Sequence, residues 1–347
     1  MPVVMMQGAS GRSFSLLPGV RHARAGGSMR SGAIEIGIIN NMPDAALEST
    51  ERQFIGLLAA AAERTPVRVR LFALPQVPRG DSARRYLAAC YADIGELWNA
   101  RLDGLIVTGT EPRRDALPDE PYWPVFTRIV DWAARNTVST VWSCLAAHAA
   151  VLQLDGVARR ALADKCFGIF QCERTAGHAL TAATPAQLQV PHSRWNGLPE
   201  DALTECGYGV LARAGDIGAD IFIKEIGSLF VMLQGHPEYE ASTLLREYRR
   251  DVGQFLRRER DVYPAQPQRY FDQPSAQALD AFRARALAGR SVELLESFPP
   301  TSLRESLISS ARASAVRLYR NWLSCISARR DASPRAVPAA MPELVRP

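Results

Sequence analysis

The sequence predicts an α/β protein with a three-layer, doubly wound and mostly parallel sheet, followed by a C-terminal helical extension. Short β-branched and apolar runs alternate with segments of helical periodicity over the first half of the chain. In addition, the run Ser139 to His148 ends a strand in a cysteine and opens directly into an alanine-rich segment. A strand, a sharp turn and a helix in this order are expected at the carboxyl edge of a parallel sheet.

The first β-α-β unit begins with the isoleucine-rich run 33–39, which is typical of a strand buried on both faces. A helical pattern then starts at Asp44, the expected N-cap. Residues 67–71 supply the next strand, and a right-handed crossover makes the pair parallel. The helix has an apolar stripe of Leu47, Phe54, Leu58 and Ala61, with Glu48, Glu51 and Arg52 expected off that stripe.

The remaining elements follow from the same patterns. Strands are expected at 102–109, 139–143, 164–170, 209–213, 219–224 and 228–234, and helices at 83–90, 122–136, 146–154, 242–257 and within 276–327. The polar cluster Pro191 to Arg194 is predicted to be a loop. The sequence is thus interpreted as a single α/β domain over 33–327, a flexible N-terminal extension over 1–32 and a disordered tail over 328–347.

The N-terminal extension contains four arginines and no acidic residue, which is faintly similar to an organellar transit peptide. A disordered extension is the alternative, as is a mistaken start codon upstream of Met29.

Composition limits the function classes. The 347 residues are 47% hydrophobic, enough to bury a substantial core, and the net charge of +5 comes from arginines scattered along the chain. We therefore expect no nucleic-acid partner. No apolar run approaches the roughly 20 residues of a transmembrane helix, so no membrane partner is expected. The six cysteines form no CxxC pair, which argues against a metal site and favours a reduced, cytoplasmic compartment.

Cys144 is the candidate nucleophile, because a thiolate is favoured near the free N–H groups at a helix start. The alternative is a buried structural cysteine. His236-Pro-Glu238 follows the last predicted strand, and in an extended segment residues two apart point to the same side. The histidine can therefore act as base and the glutamate as its orienting partner. A histidine next to a proline is commonly structural, so the joint occurrence of the two motifs favours catalysis.

Cys144 together with Gly235 to Tyr239 resembles the Cys-His-Glu triad of the class I glutamine amidotransferase-like fold. More closely, the chain resembles the homoserine O-succinyltransferase (homoserine O-acyltransferase) family from about Ile34 to Trp322. The motifs that support this resemblance are Asn41-Met-Pro43, Gly104 to Gly109, Tyr122-Trp123, Ser139-Thr140, Pro191-His-Ser-Arg194, Gly235-His-Pro-Glu-Tyr239, Glu247-Tyr-Arg-Arg-Asp251 and Asn321-Trp-Leu323.

The resemblance implies that Cys144 is acylated by an acyl-CoA, that His236 is general base and acid, and that Glu238 orients it. Succinyl-CoA or acetyl-CoA would be the co-substrate, with no bound cofactor, and homoserine or a related hydroxy amino acid such as serine the acceptor. Lys165, Ser193 and Arg250 fall at positions that line the acceptor site in the family. Apart from the resemblance, the alternative interpretation is a solvated loop lysine, a turn residue and part of an exposed helical charge face, respectively. The resemblance also implies a ping-pong mechanism, methionine-type or specialised metabolism and a homodimer.

Three departures from the family pattern concern the substrate. Asp44 and Ala45 stand where a lysine is often found, and Leu145 follows the nucleophile where an aromatic residue is usual. Arg113 aligns with a position that separates acetyl from succinyl users by being glutamate or glycine. A guanidinium there suits the distal carboxylate of succinyl, or indicates a different donor or acceptor.

Two other functions remain open at this point. The same triad serves glutamine amide hydrolysis, although the chain has no synthetase domain. The second alternative is a non-catalytic binding relative of the family, whose altered pockets no longer support turnover of a substrate.

Overall fold

The computed structural model describes residues 3–6, 20–23 and 32–332, within which eleven strands form one sheet accompanied by eight α-helices. The strands are β1 (Val3–Met6), β2 (Val20–Ala23), β3 (Ile34–Ile39), β4 (Val67–Phe72), β5 (Gly104–Val107), β6 (Ser139–Ser143), β7 (Arg160–Arg174), β8 (Gln187–Gly197), β9 (Gly209–Ala214), β10 (Gly218–Glu225) and β11 (Leu229–Leu233). The helices are α1 (Asp44–Ala61), α2 (Asp81–Cys90), α3 (Trp123–Asn136), α4 (Leu145–Asp155), α5 (Glu200–Glu205), α6 (Thr243–Leu256), α7 (Gln273–Ala288) and α8 (Glu305–Ala332).

The sheet has two parts that differ in strand direction. From β2 through β1, β4, β3, β5 and β6 to β11, every neighbouring pair is parallel. The sheet continues through β10, β9 and β7 to β8 with antiparallel pairs. The prediction of an α/β fold with a mostly parallel sheet is therefore confirmed.

The central strands hold the candidate nucleophile and base side by side. β5, β6 and β11 are buried at every position, as parallel strands covered on both faces should be. α1 and α8 cover one face, and α3 and α4 cover the other. β6 and β11 are in register up to the pair Ser143 and Leu233, so the residues that follow both strands meet at one edge of the sheet.

The C-terminal helices are part of the core. α6 and α7 cover Phe167 and Ile169 on β7. On α8, Trp322 is 1% exposed and its Nε1 donates to Ser139 Oγ on β6 at 2.8 Å.

Within the described part of the chain, no helix is both long and apolar enough to cross a membrane.

Both predicted terminal segments contain regular structure near the domain. Val3 and Met5 are buried, and β1 pairs with β4, which would otherwise be an exposed edge. At the other end, α8 continues to Ala332, so its last five residues fall within the expected tail. The other residues of 1–31, and residues 333–347, lie outside the described ranges.

The loop prediction for Pro191 to Arg194 is wrong, because these residues lie inside β8. β8 is the last strand of the sheet, and a proline is tolerated in an edge strand because one side of that strand needs no ladder N–H. The outer side of β8 is used differently: the carbonyl of Pro191 accepts the backbone N–H of His236 at 2.7 Å.

Two expectations for α1 are also wrong. Pro43 is the N-cap, and Asp44 is the first helical residue, whose carboxylate accepts the N–H of Gly80 at 2.7 Å instead of capping its own helix. Glu51 is buried, because Tyr86 and Tyr91 both donate their hydroxyls to it. Burial raises the pKa of Glu51 to about 7, against the opposing effect of those two hydrogen bonds.

Candidate active site

Cys144 forms a sharp turn between β6 and α4. Its backbone has φ 51° and ψ −110°, a strained conformation for a residue with a side chain. The turn is fixed on both sides, since the Cys144 N–H donates to Leu233 O at 2.7 Å and its carbonyl accepts the N–H groups of Ala147 and His148. The side chain remains partly exposed. A strained elbow of this kind presents a nucleophile above the sheet.

The elbow also provides donors for an anion. The N–H groups of Leu145 and Ala146 begin α4 and therefore have no carbonyl one turn earlier in the helix. Gly109, just beyond β5, lies against this turn so closely that an added Cβ would be 2.6 Å from Leu145 Cβ and 3.2 Å from Leu145 N. The helix start is thus suited to an oxyanion formed on a thioester at Cys144.

His236 and Glu238 meet as the sequence predicts. His236 Nδ1 lies 2.7 Å from Glu238 Oε1, and both side chains are buried. Glu238 can only accept when ionised, so Nδ1 donates to it and Nε2 is left to face Cys144. Burial alone would lower the pKa of His236, but the Glu238 charge and a hydrogen bond to Cys144 raise that pKa well above its ordinary value. The three residues therefore form a hydrogen-bonded triad.

Tyr239 and Ser193 share one carboxylate next to this triad. The Tyr239 ring stacks on the His236 ring, with centroids 4.3 Å apart and planes 18° apart. Its hydroxyl donates to Glu247 Oε1 at 2.6 Å, and Ser193 Oγ donates to Glu247 Oε2 at 2.6 Å. Glu247 thereby connects the predicted acceptor residue Ser193 with the ring that supports His236.

Lys165 and Arg250 converge on Asp251, one helical turn after Glu247 on α6. Lys165 Nζ lies 3.4 Å from Asp251 Oδ2, and the Arg250 guanidinium contacts Asp251 Oδ1 at 2.8 Å. Arg260 lies 3.5 Å from the same carboxylate. The Asp251 side chain is 7% exposed whereas that of Arg250 is 53% exposed, so the acid is an anchor and the arginine remains open to a ligand.

Arg113 stands apart from this group. Its backbone N–H, like that of Arg114, donates to the buried carboxylate of Glu120, which fixes the loop after β5. The side chain of Arg113 is exposed. Within the described residues, no contact joins its guanidinium to the triad, to Lys165 or to Ser193.

Comparisons with known proteins identify the family of the chain. A family model described as Homoserine O-succinyltransferase matches residues 21–332. The chain belongs to the homoserine O-succinyltransferase family. It is 50% identical to a homoserine O-succinyltransferase of Rhodopseudomonas palustris over 84% of this chain and 87% of that one. It is 45% identical to one of Bradyrhizobium japonicum over 88% and 94% of the two chains.

As a member of the homoserine O-succinyltransferase family, the protein is an acyltransferase. Among solved structures, a glutamine amido transferase from Methylobacillus flagellatus is similar with a TM-score of 0.49 and 15% identity, over 85% of this chain and 95% of that one.

Three other cysteines of this homoserine O-succinyltransferase family member are poorly suited to nucleophilic attack. Burial raises the pKa of the Cys166 thiol to about 12, and burial likewise raises the pKa values of Cys172 and Cys325. A thiol that resists ionisation is a poor nucleophile. Cys144 is the cysteine that the fold places next to a buried histidine and glutamate.

A cavity of about 740 Å³ lies behind the triad. Pro237 and Tyr239 form part of its wall, but Cys144, His236 and Glu238 do not.

Sequence reasoning missed the roles of Glu247 and Asp251. Both belong to the motif Glu247-Tyr-Arg-Arg-Asp251, in which the sequence analysis assigned a role only to Arg250. The signal was present: two acids four residues apart lie on one face of a helix, so they can serve neighbouring cationic or hydroxyl groups.

Proposed function

We propose that the protein transfers an acyl group from an acyl-CoA to the hydroxyl of homoserine through a thioester on Cys144. The observation that supports this most is the Cys144, His236 and Glu238 triad, built at a strained elbow in a chain of the homoserine O-succinyltransferase family.

In the first half-reaction the Cys144 thiolate attacks the thioester carbonyl of the donor. The oxyanion that forms is held by the first N–H groups of α4. As the intermediate collapses, the bond from carbonyl carbon to CoA sulfur breaks, and CoA leaves with a proton from His236. The acyl group is then a thioester of Cys144.

In the second half-reaction the acceptor hydroxyl attacks that thioester. His236, now neutral, takes the hydroxyl proton, and the bond to Cys144 Sγ breaks to give the O-acyl product and the thiolate. Glu238 keeps the imidazole in the orientation that both steps need. The acylated hydroxyl is a better leaving group than the free hydroxyl. The product is therefore suited to enter sulfur amino-acid biosynthesis.

The group around α6 fits an amino-acid acceptor. The Arg250 guanidinium offers a two-point contact to the α-carboxylate. Glu247 already accepts one hydroxyl on each oxygen, and each oxygen has capacity for a further donor, so it suits the α-ammonium group. Ser193 and Lys165 complete the polar wall, and Asp251 holds the cations in place.

The donor pocket includes the loop after β5. Because Arg113 is exposed and its backbone is fixed by Glu120, its guanidinium is available to the distal carboxylate of a succinyl group. Succinyl-CoA is therefore our proposed donor in preference to acetyl-CoA.

Initial-rate kinetics with succinyl-CoA and homoserine test this function. We expect parallel lines in double-reciprocal plots, because CoA leaves before the acceptor reacts. Acetyl-CoA and serine are the comparison substrates, and the matched variant Arg113→Ala should raise KM for succinyl-CoA while leaving KM for homoserine unchanged. Ammonia release from glutamine, with no acyl transfer, would instead support an amidotransferase-type hydrolase.

A further inference from the structure

A buried acid braces the turn that leads into His236. Asp220 lies on β10 and is 1% exposed. Its Oδ1 accepts the N–H of Gly235 at 2.8 Å, and its main-chain carbonyl accepts the N–H of Gln234 at 2.9 Å. Both bonds act on the two residues that immediately precede His236, although the proposed mechanism assigns Asp220 no part.

The strand is shaped to aim this side chain. β9 and β10 lose register at Asp220, since Ala219 pairs with Arg213 and Ile221 with Ala212. An extra residue of this kind redirects its side chain, and such bulges are frequent beside active sites. On the receiving side, a Cβ on Gly235 would be 2.9 Å from Asp220 Oδ1, so the close approach depends on glycine.

Three buried side chains support the carboxylate. The Cys172 thiol hydrogen-bonds Asp220, and His192 Nε2 lies 3.3 Å from Asp220 Oδ1. Arg194 Nε donates to His192 Nδ1 at 3.3 Å. Burial lowers the pKa of His192 well below its ordinary value, which favours the neutral ring. Because Nδ1 accepts from Arg194, the single proton is on Nε2, which faces Asp220 without forming a hydrogen bond to it.

The position of the His192 proton also argues against a metal ion. Ligand atoms of Cys172, His192 and Asp220 lie within 4.8 Å of one another, which is a spacing that a metal could use. A metal needs the lone pair of the nitrogen that faces it, but that nitrogen of His192 is protonated and Arg194 adds a positive charge behind it. The cluster therefore serves the Asp220 carboxylate.

We propose that Asp220 is a positioning residue for His236: its carboxylate fixes the Gly235 peptide and supplies a negative charge that favours the imidazolium. The inference rests on the proposed Cys144 and His236 pair, but it does not depend on which donor or acceptor is used.

The charge of Asp220 depends on pH. Burial raises its pKa to about 6, whereas the Gly235 N–H, Arg194, Cys172 and His236 oppose that rise. The carboxylate is therefore ionised above about pH 6. As pH falls through that value the charge is lost, and its support for the imidazolium is lost with it.

Histidine titration by NMR tests the proposal on the full chain. The sequence has five histidines, and the His236 signal is assigned with His236→Gln. Asp220→Asn keeps the shape and an acceptor for Gly235 but removes the charge. We expect it to lower the titration midpoint of His236 by about one pH unit and to reduce kcat about tenfold or more.

The control is Glu225→Gln, which removes an exposed acid from the same strand and should leave both quantities unchanged. If His236 titrates identically in Asp220→Asn and the native protein, the proposal is wrong, even where the variant is less stable or less active. Because the readout is the titration of His236, it stays valid if homoserine is not the acceptor.

A second pair of variants covers the case in which Asp220→Asn does not fold. Cys172→Ala removes one donor to Asp220, so the carboxyl should protonate at higher pH. The acid limb of the pH profile of kcat should therefore move to higher pH. Cys325→Ala, which removes a partly buried thiol from α8, should leave that limb in place. If kcat falls at the same acidic pH in the two variants, the proposal is wrong.

Discussion

At the scale of single residues, the direction of the hydrogen bonds around His236 decides what its ring can do. Glu238 accepts from Nδ1, which leaves Nε2 for Cys144. Burial opposes the charged ring, but Glu238 and Cys144 raise its pKa well above the ordinary value. A charged imidazole facing Cys144 is what the proposed mechanism requires of its general acid and base.

Glu238→Gln should lower kcat about a hundredfold or more, because the amide no longer favours the tautomer and charge that His236 needs. The limb of the pH profile that reports His236 should move to lower pH, since a carboxylate that raised its pKa is gone. Steady-state rates from pH 5 to 10 measure both effects. Glu240→Gln, two residues away and partly exposed, is the control, and equal kcat in the two variants would contradict the role of Glu238.

Asp251→Asn should affect substrate binding more than chemistry. Lys165 and Arg250 lose the negative charge that holds them, so KM for the amino-acid acceptor should rise about tenfold or more while KM for acyl-CoA changes little. Asp261→Asn removes an exposed acid nearby and should behave like the native protein. A lower kcat with unchanged acceptor KM would refute the anchoring role.

At the scale of the element, the junction between β6 and α4 determines the direction of Cys144. Gly109 is the neighbour that permits this junction, because a side chain there would overlap Leu145. The elbow is strained at Cys144, so it persists only where the surrounding backbone enforces it.

Gly109→Ala should therefore reduce kcat strongly and destabilise the fold by about 1–3 kcal/mol through overpacking. Activity assays and urea unfolding measure the two effects. Gly56→Ala is the matched control, since a Cβ on Gly56 in α1 meets open space and an alanine favours the helix. Full activity of Gly109→Ala would mean that the elbow does not depend on this contact.

The elements themselves could largely be predicted from sequence, because apolar periodicity records which faces are buried. β3, α3 and the strand that leads to Cys144 follow their patterns closely. Pro191 misled the prediction, since local chemistry indicates a turn and only the position of β8 at the sheet edge permits a strand. The bulge at Asp220 has no local signal, because it depends on the pairing of two strands.

At the scale of the whole molecule, α8 packs against β6, the strand that leads to Cys144. Trp322 is buried beneath the sheet, donates to Ser139 and lies against Gly104. The resemblance to the family suggested the extent of this domain, but the packing of α8 on β6 could not be inferred from periodicity alone. Contacts across 183 residues of sequence have no local signature.

Trp322→Ala should destabilise the protein by about 3–5 kcal/mol, because it removes a large buried side chain and leaves Ser139 without its donor. Urea unfolding measures the loss. Trp195→Ala is the control, since Trp195 is 53% exposed and should cost little. Equal unfolding midpoints for the two variants would show that α8 is not part of the folded core.

The central claim is that Cys144 carries the acyl group between donor and acceptor. Intact-protein mass spectrometry after mixing with succinyl-CoA tests it most directly, with peptide mapping to locate the adduct. We predict one succinyl group on Cys144, its absence in Cys144→Ala, and its loss with formation of O-succinylhomoserine when homoserine is added. Turnover by Cys144→Ala at the native rate, or an adduct on another residue that homoserine discharges, would contradict the account.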